Sequence, residues 1–306
     1  MRPHVDLTLR AAVPLGHAWA QRAADEIGVR ILVIKGPVPA LHGLRPRRVS
    51  GDVDVLVEPA GFELFVTALQ DAGWRERPAT FASARFTLHS RSLIRDTWPC
   101  DIDVHSCFPG FLADPDVVFE ALWARRVRID LAHQSCDAPD RLGSALILAL
   151  HCLRGGSTDR RYAAELDFLV RASDLSPSEG RELAALASRT GCEQTLRTVL
   201  ARMGIAPDAL RAAAGSDPDR ATALREWERR VVAGGGAYFW LAAFRRARAS
   251  ERFAIVARAL WPSDRDLLLN HPEVPDALSP KLGARVRRYG RGLKSVPAAV
   301  RALTVR

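Results

Sequence analysis

The sequence predicts an α+β protein: a small mixed β-sheet with flanking helices, followed by a mostly α-helical region. Three observations carry this expectation. Up to about residue 138, short apolar runs alternate with longer amphipathic segments. Beyond it, nearly every segment has helical spacing. Two of the extended runs, near 52–58 and 101–106, place carboxylates at alternate positions between apolar residues. A boundary near 138 divides the chain into regions 1–138 and 139–306.

Residues 6–27 show apolar positions at helical spacing and stop before Gly28, a common helix terminator. Arg30 to Ile34 is almost wholly apolar, as a buried strand requires. In Lys35-Gly36-Pro37, the proline suits the first turn of a helix running to about Leu44. A strand over 52–58 is stopped by Pro59, and a helix over 60–73 ends before Trp74. Extended segments are expected near 85–90 and 101–106. A helix over 116–124 leads into a β pair, 127–131 and 134–137. The helices expected after it are 140–154, 159–172, 177–190, 192–203, 217–232, 236–248 and 251–260. Turn signals at Gly155-Gly156, Ser176-Pro177 and Gly234-Gly235-Gly236 separate them.

Composition bounds the class. The chain has 306 residues, 48 % hydrophobic and 26 % charged, typical of a globular protein. No segment approaches the roughly 20 apolar residues of a membrane span. The first ten residues lack the apolar core of a signal peptide, so a cytoplasmic location is expected. Five cysteines form no CxxC pair, which argues for reduced, buried thiols rather than disulfides or zinc. Of 44 basic residues only three are Lys, so the net charge of +9 reflects an arginine bias. That balance is compatible with polyanionic partners such as nucleotides or RNA. Much of it lies in a basic tail from Leu282 to Arg306, read as a solvated terminal helix, with an RNA-binding or membrane-surface role as the alternative.

The candidate chemistry starts at Asp52-Val53-Asp54-Val55-Leu56-Val57. Side chains at i and i+2 leave a strand on one face, so Asp52 and Asp54 point together, with Cα atoms roughly 6.6 Å apart. Two negative charges beside an apolar core call for compensation, and a divalent cation is the simplest. In Asp101-Ile102-Asp103-Val104-His105 the polar residues again share a face. If the two strands are neighbours, Asp103 joins Asp52 and Asp54 around Mg²⁺, with Mn²⁺ as the alternative. An ordinary solvent-facing strand is the competing reading, favoured for Asp101. Lys35-Gly36 opens a helix, where free N–H groups, a close backbone approach and a point charge suit a phosphate. His105 could orient Asp103, contact a nucleotide or satisfy a strand hydrogen bond. His151 and Asp167 read first as buried polar ties of the helical region; Trp98, Trp123 and Trp240 read as core.

These residues resemble the nucleotidyltransferase superfamily with the DNA polymerase β-like fold, and within it a bacterial group of nucleotidyltransferase family proteins. The matching pattern is Lys35-Gly36, Arg48, Asp52-Val53-Asp54-Val55-Leu56-Val57 and Asp103-Val104-His105, extending weakly through Leu150-His151 and Leu166-Asp167. The resemblance implies a nucleotidyltransferase core and transfer of a nucleoside monophosphate, AMP above all, from NTP to an acceptor hydroxyl with release of pyrophosphate. It implies Asp52, Asp54 and Asp103 as metal ligands, and Lys35, Gly36, Arg48 and His105 as nucleotide contacts, although Arg45 or Arg47 could serve in place of Arg48. The acceptor (small molecule, peptide, protein or RNA) is not specified. The superfamily's Gly-Ser is here Gly36-Pro37, a departure that favours the alternative of a nucleotide-binding module without turnover.

Overall fold

The structure is a computed structural model that describes residues 7–86, 89–155, 159–206, 218–234 and 236–304. The turn signals at Gly156 and Gly235 lie outside the described residues. The chain divides into two compact units. One comprises 1–77, 89–152 and 161–224; the other comprises 78–88, 153–160 and 225–306.

The first unit opens with α1 (Leu9–Ile27), closed by Gly28 in the left-handed conformation, then β1 (Ile31–Val33), the short α2 (Val38–Leu41) and β2 (Asp52–Val57). A 3₁₀ turn, Pro59–Gly61, leads into α3 (Phe62–Asp71) and β3 (Arg75–Glu76). In the second unit, α4 (Ser83–Phe86) is a single helical turn. The first unit resumes with β4 (Ser90–Ile94), β5 (Asp101–His105), α5 (Pro115–Trp123) and the hairpin β6 (Val127–Leu131) and β7 (Gln134–Ala138). Then come α6 (Arg141–Arg154), α7 (Arg160–Ser173), α8 (Pro177–Thr190), α9 (Arg197–Arg202) and α10 (Pro218–Ala233). The second unit ends with α11 (Ala237–Arg246), α12 (Ala249–Leu260), α13 (Asp264–Asn270) and α14 (Leu278–Leu303).

The α+β class stands: one mixed sheet of order β1-β2-β5-β4-β3, with helices around it. β2 and β5 run parallel and adjacent, pairing Asp52 with Asp101, Asp54 with Asp103 and Leu56 with His105. β1 and β4 flank them antiparallel. Val53, Val55, Val57, Ile102 and Val104 form the core under α1 and α3 with Phe65, Leu69 and Trp74, which leaves the carboxylates on the other face. The β6–β7 hairpin packs on β1 and α1, where Gln21 accepts from the Asp137 N–H at 3.0 Å. Within the second unit, α11 packs on α14 through Tyr238, Ala242, Ala299 and Ala302. Among the described residues no helix is long and apolar enough to cross a membrane.

Several elements differ from expectation. The extended segment expected at 85–90 begins only at Ser90, and Ser83–Phe86 is helical. There Thr80 N–H donates to Ser83 Oγ at 2.8 Å and Ser83 N–H to Thr80 Oγ1 at 3.1 Å, a reciprocal cap that nucleates a turn. The helix expected at 192–203 starts only at Arg197; ahead of it Thr195 Oγ1 has the Gly110 carbonyl at 2.8 Å and the Cys192 carbonyl at 3.0 Å as acceptors for its one proton. The helix after Gly36 stops at Leu41 rather than Leu44, turned off by Gly43 at φ 71°. α13 was not foreseen, and the tail helix begins at Leu278. Trp240 is half-buried, stacked on Phe81 at 6.1 Å.

Helix α1 lies close on β2: a Cβ at Gly16 would meet Val53 Cγ2 at 2.6 Å. Gly16→Val should therefore lower stability by about 1–3 kcal/mol, read as a lower denaturation midpoint, whereas Gly43→Asn should change it little.

Candidate active site

The site gathers at the sheet face opposite the apolar core. Asp54 is 1 % exposed. Its Oδ1 accepts from His105 Nε2 at 2.9 Å and forms an ion pair with Lys35 Nζ. Because a carboxylate only accepts, His105 must carry its proton on Nε2. Its Nδ1 is buried and, among the described residues, without a hydrogen-bond partner. Asp103, Asp54's neighbour in register, accepts from Ser92 Oγ on β4, which the sheet sets directly opposite it. Asp52 lies two residues before Asp54 and is more exposed, and Asp101 pairs outward with Arg77.

These positions set the charges. Burial opposes ionisation of Asp54, but Lys35 and His105 outweigh it and hold the carboxyl below the ordinary range. Burial and then the Asp54 charge push Asp52 up to about 6, against the opposing pull of Lys35. Asp103 is raised as well, by burial and then by Asp54, with Ser92 resisting. The three carboxyls are therefore not equivalent, Asp54 being held below the ordinary range and Asp52 and Asp103 above it.

Ligand atoms of Asp54, Asp103 and His105 lie within 4.8 Å of one another, a spacing that fits one cation. Two carboxylates suit a hard ion such as Mg²⁺ or Mn²⁺, and a ring nitrogen of His105 is the third candidate ligand atom of the set. The set differs in membership from the one the sequence pattern implied, with His105 inside it and Asp52 at its rim.

Lys35, read from the sequence as a phosphate contact, is paired with Asp54, and its ammonium also lies 5.9 Å from the Phe108 ring centroid. Gly36 adopts φ 62°, and a Cβ there would meet His17 Cε1 at 2.6 Å. Its lack of a side chain therefore serves backbone geometry and the packing of α1. His17 is fully buried, its Nδ1 donates to the Val13 carbonyl at 2.9 Å, and burial pushes its pKa down to about 4. Arg45, not Arg48, reaches the Gly36 carbonyl. Both arginines meet the buried Glu165, Arg45 at 3.4 Å and Arg48 at 3.2 Å.

Reasoning from the sequence did not single out Ser92, His17, Phe108 or Glu165. Ser92 is legible only as a polar position on a strand whose place beside β5 is unknown until the sheet is assembled. Glu165, one residue before the Leu166-Asp167 pair, is the buried member there. Asp167 was expected buried; it is half-exposed and ties α7 to α9 through Arg202 at 2.6 Å. His151 is half-buried, edge-on to Tyr162. Burial raises the Cys136, Cys152 and Cys192 thiols to about 12, in keeping with inert, unpaired cysteines.

No protein-family model matches the chain, and no curated protein matches it. In fold it is similar to an antigenic nucleotidyltransferase-like protein from Paracoccidioides brasiliensis, at 11 % identity and TM-score 0.38 over 62 % of this chain and 93 % of that one. It is also similar to a tRNA-processing enzyme, at 11 % identity and TM-score 0.26 over 98 % of this chain and all of the other. Likenesses this distant carry no argument about chemistry, which rests on the site alone.

A carboxyl raised in the folded state favours its protonated form, so Asp52 costs stability as pH rises from about 4 through about 6. Asp52→Asn removes that cost. In chelator, its thermal midpoint should exceed the parent's at pH 7.5 by an amount that vanishes near pH 4. A difference that stays constant across this range would refute the assignment.

Proposed function

We propose that residues 1–138 carry a Mg²⁺-dependent nucleotidyltransferase site that moves a nucleoside monophosphate, AMP from ATP in the simplest case, onto an acceptor hydroxyl and releases pyrophosphate. The observation that carries this reading is the β2–β5 register. It sets Asp54 beside Asp103 on one face, with His105, Lys35 and Asp52 around them. In this reading Asp54 and Asp103 hold the ion with His105, and Asp52 supports it from the rim. A divalent ion bound there supplies positive charge to the phosphates and to the attacking oxygen.

The remaining roles fall to the chain's own groups. In this reading Lys35, whose ammonium already pairs with Asp54, supplies the point charge for the phosphate tail. Asp52 and Asp103, both above the ordinary carboxyl range, are the proton acceptors available to an acceptor hydroxyl near neutral pH. Ser92 and His105 fix the carboxylates they touch, so the charges are in position before a substrate arrives. Arg45 holds the Gly36 carbonyl, which makes it a positioning residue, and Arg48 lies beside it on Glu165.

A second reading, a nucleotide-binding module without turnover, has its own support. The helix after Gly36 is four residues long, too short to focus a dipole on a triphosphate, and Pro37 replaces the serine of the superfamily pattern. Titration calorimetry with ATP and Mg²⁺, followed by a pyrophosphate-release assay, separates the two: heat without release selects the module.

Asp54→Asn and Asp103→Asn should each lower Mg²⁺-dependent pyrophosphate release by at least about 100-fold with far-ultraviolet circular dichroism unchanged. Parent-level turnover in either variant would end the enzymatic reading. Lys35→Met should raise the KM for ATP more than it lowers kcat.

A further inference from the structure

Charge is segregated along this chain. The second unit contains 20 Lys and Arg against 8 Asp and Glu, a formal +12. The first unit is then −3, so the whole excess of +9 resides in one unit. Within the second unit, α14 has seven basic residues and no acidic one.

The same helix exposes hydrocarbon. At about 100° per residue, Leu278, Leu282, Val286, Leu293, Val296 and Val300 fall within an arc of about 80°. All six are 43–86 % exposed. Ala284, Ala299 and Ala302 occupy the buried side, while exposed Arg301, Lys294 and Arg287 come next around the helix beyond the stripe. The stripe runs the length of a helix about 39 Å long. α12 adjoins it, with Arg288 donating to the Ala259 carbonyl at 2.5 Å, and adds Phe253 at 84 % exposure. Between them lies a groove of about 490 Å³ lined by Trp240, Leu260, Tyr289, Leu293 and Val296 with Arg288.

Whatever covers this face must offer hydrocarbon and negative charge together. RNA offers the charge but no aliphatic surface. A second copy of α14 offers the aliphatic surface but repels through its exposed cations, Arg287, Arg291, Lys294 and Arg301, whereas Lys281 and Arg285 are buried against Asp264 and Asp276. A bilayer rich in acidic headgroups supplies both, and an amphipathic cationic helix lying in its plane is the geometry such a surface binds. We propose that α14, with α12 beside it, seats this protein on the surface of an anionic lipid bilayer. The stripe enters the acyl boundary, the arginines and lysine meet the headgroups, and the aromatic-lined groove receives hydrocarbon. This is independent of the chemistry at the sheet.

The test is flotation of the full chain with vesicles of phosphatidylcholine alone and of phosphatidylcholine mixed with phosphatidylglycerol. The expected result is recovery with the mixed vesicles only. Leu282→Ser together with Leu293→Ser, at exposed positions where folding is unaffected, should weaken that binding at least about tenfold. Lys294→Gln should weaken it about fivefold. Three outcomes overturn the proposal: no recovery with either vesicle, recovery with mixed vesicles that the double substitution leaves unchanged, or self-association in sedimentation velocity that the double substitution abolishes. Tighter binding to single-stranded RNA than to the mixed vesicles, unaffected by Leu282→Ser and Leu293→Ser, overturns it as well.

Discussion

An ionised carboxylate almost out of reach of water is expensive, and the arrangement around Asp54 is what makes it tolerable. Lys35 and His105 converge on one oxygen, from the end of β1 and from β5. Removing either would strand a charge or a donor in a low-dielectric interior, which costs more than the intact pair contributes. The rest of the sheet answers to this point. β1 must end where Lys35 can turn inward, β5 must run parallel to β2, and Ser92 must arrive opposite Asp103. The neighbouring carboxyls are raised above their ordinary range, by burial first and then by the fixed negative charge of Asp54.

Much of this was legible before any coordinates. Alternation of Asp with Val in β2, and of Asp with Ile and Val in β5, specified two half-polar strands to within a residue, because a period of two on a half-buried surface allows little else. The β6–β7 pair and helices α5 to α8 were similarly readable from spacing and caps. What spacing does not encode is which strands become neighbours. Ser92 therefore gave no signal, and His105 could not be assigned to Asp54 rather than Asp103. Gly36 was read as making room for phosphate. Its immediate reason is His17, nineteen positions earlier, a contact no local pattern reveals. The segment around Ser83 failed for a different reason: a short reciprocal hydroxyl cap overrode the weak extended preference of its neighbours.

Arginine abundance had the opposite effect, hiding specificity in excess. Arg48 matches the pattern, yet Arg45 is the buried one and holds the Gly36 backbone. The rare lysines were better guides. Lys35 sits in the acidic site, and Lys281 is buried between Asp264 at 2.5 Å and Asp276 at 2.8 Å, tying α14 to α13 and the segment between them. A compact ammonium suits these two crowded acidic sites, whereas the third lysine, Lys294, is exposed on α14.

The pleat of β5 links foldability to competence. Were that strand to shift by one position against β2, Ile102 and Val104 would leave the core beneath α1 and α3, and three ionisable side chains would take their place among Val53, Val55 and Phe65. Such a molecule would not persist. Ordinary folding stability therefore also inspects the acidic cluster: a chain that folds with this core has its carboxylates assembled on the opposite face.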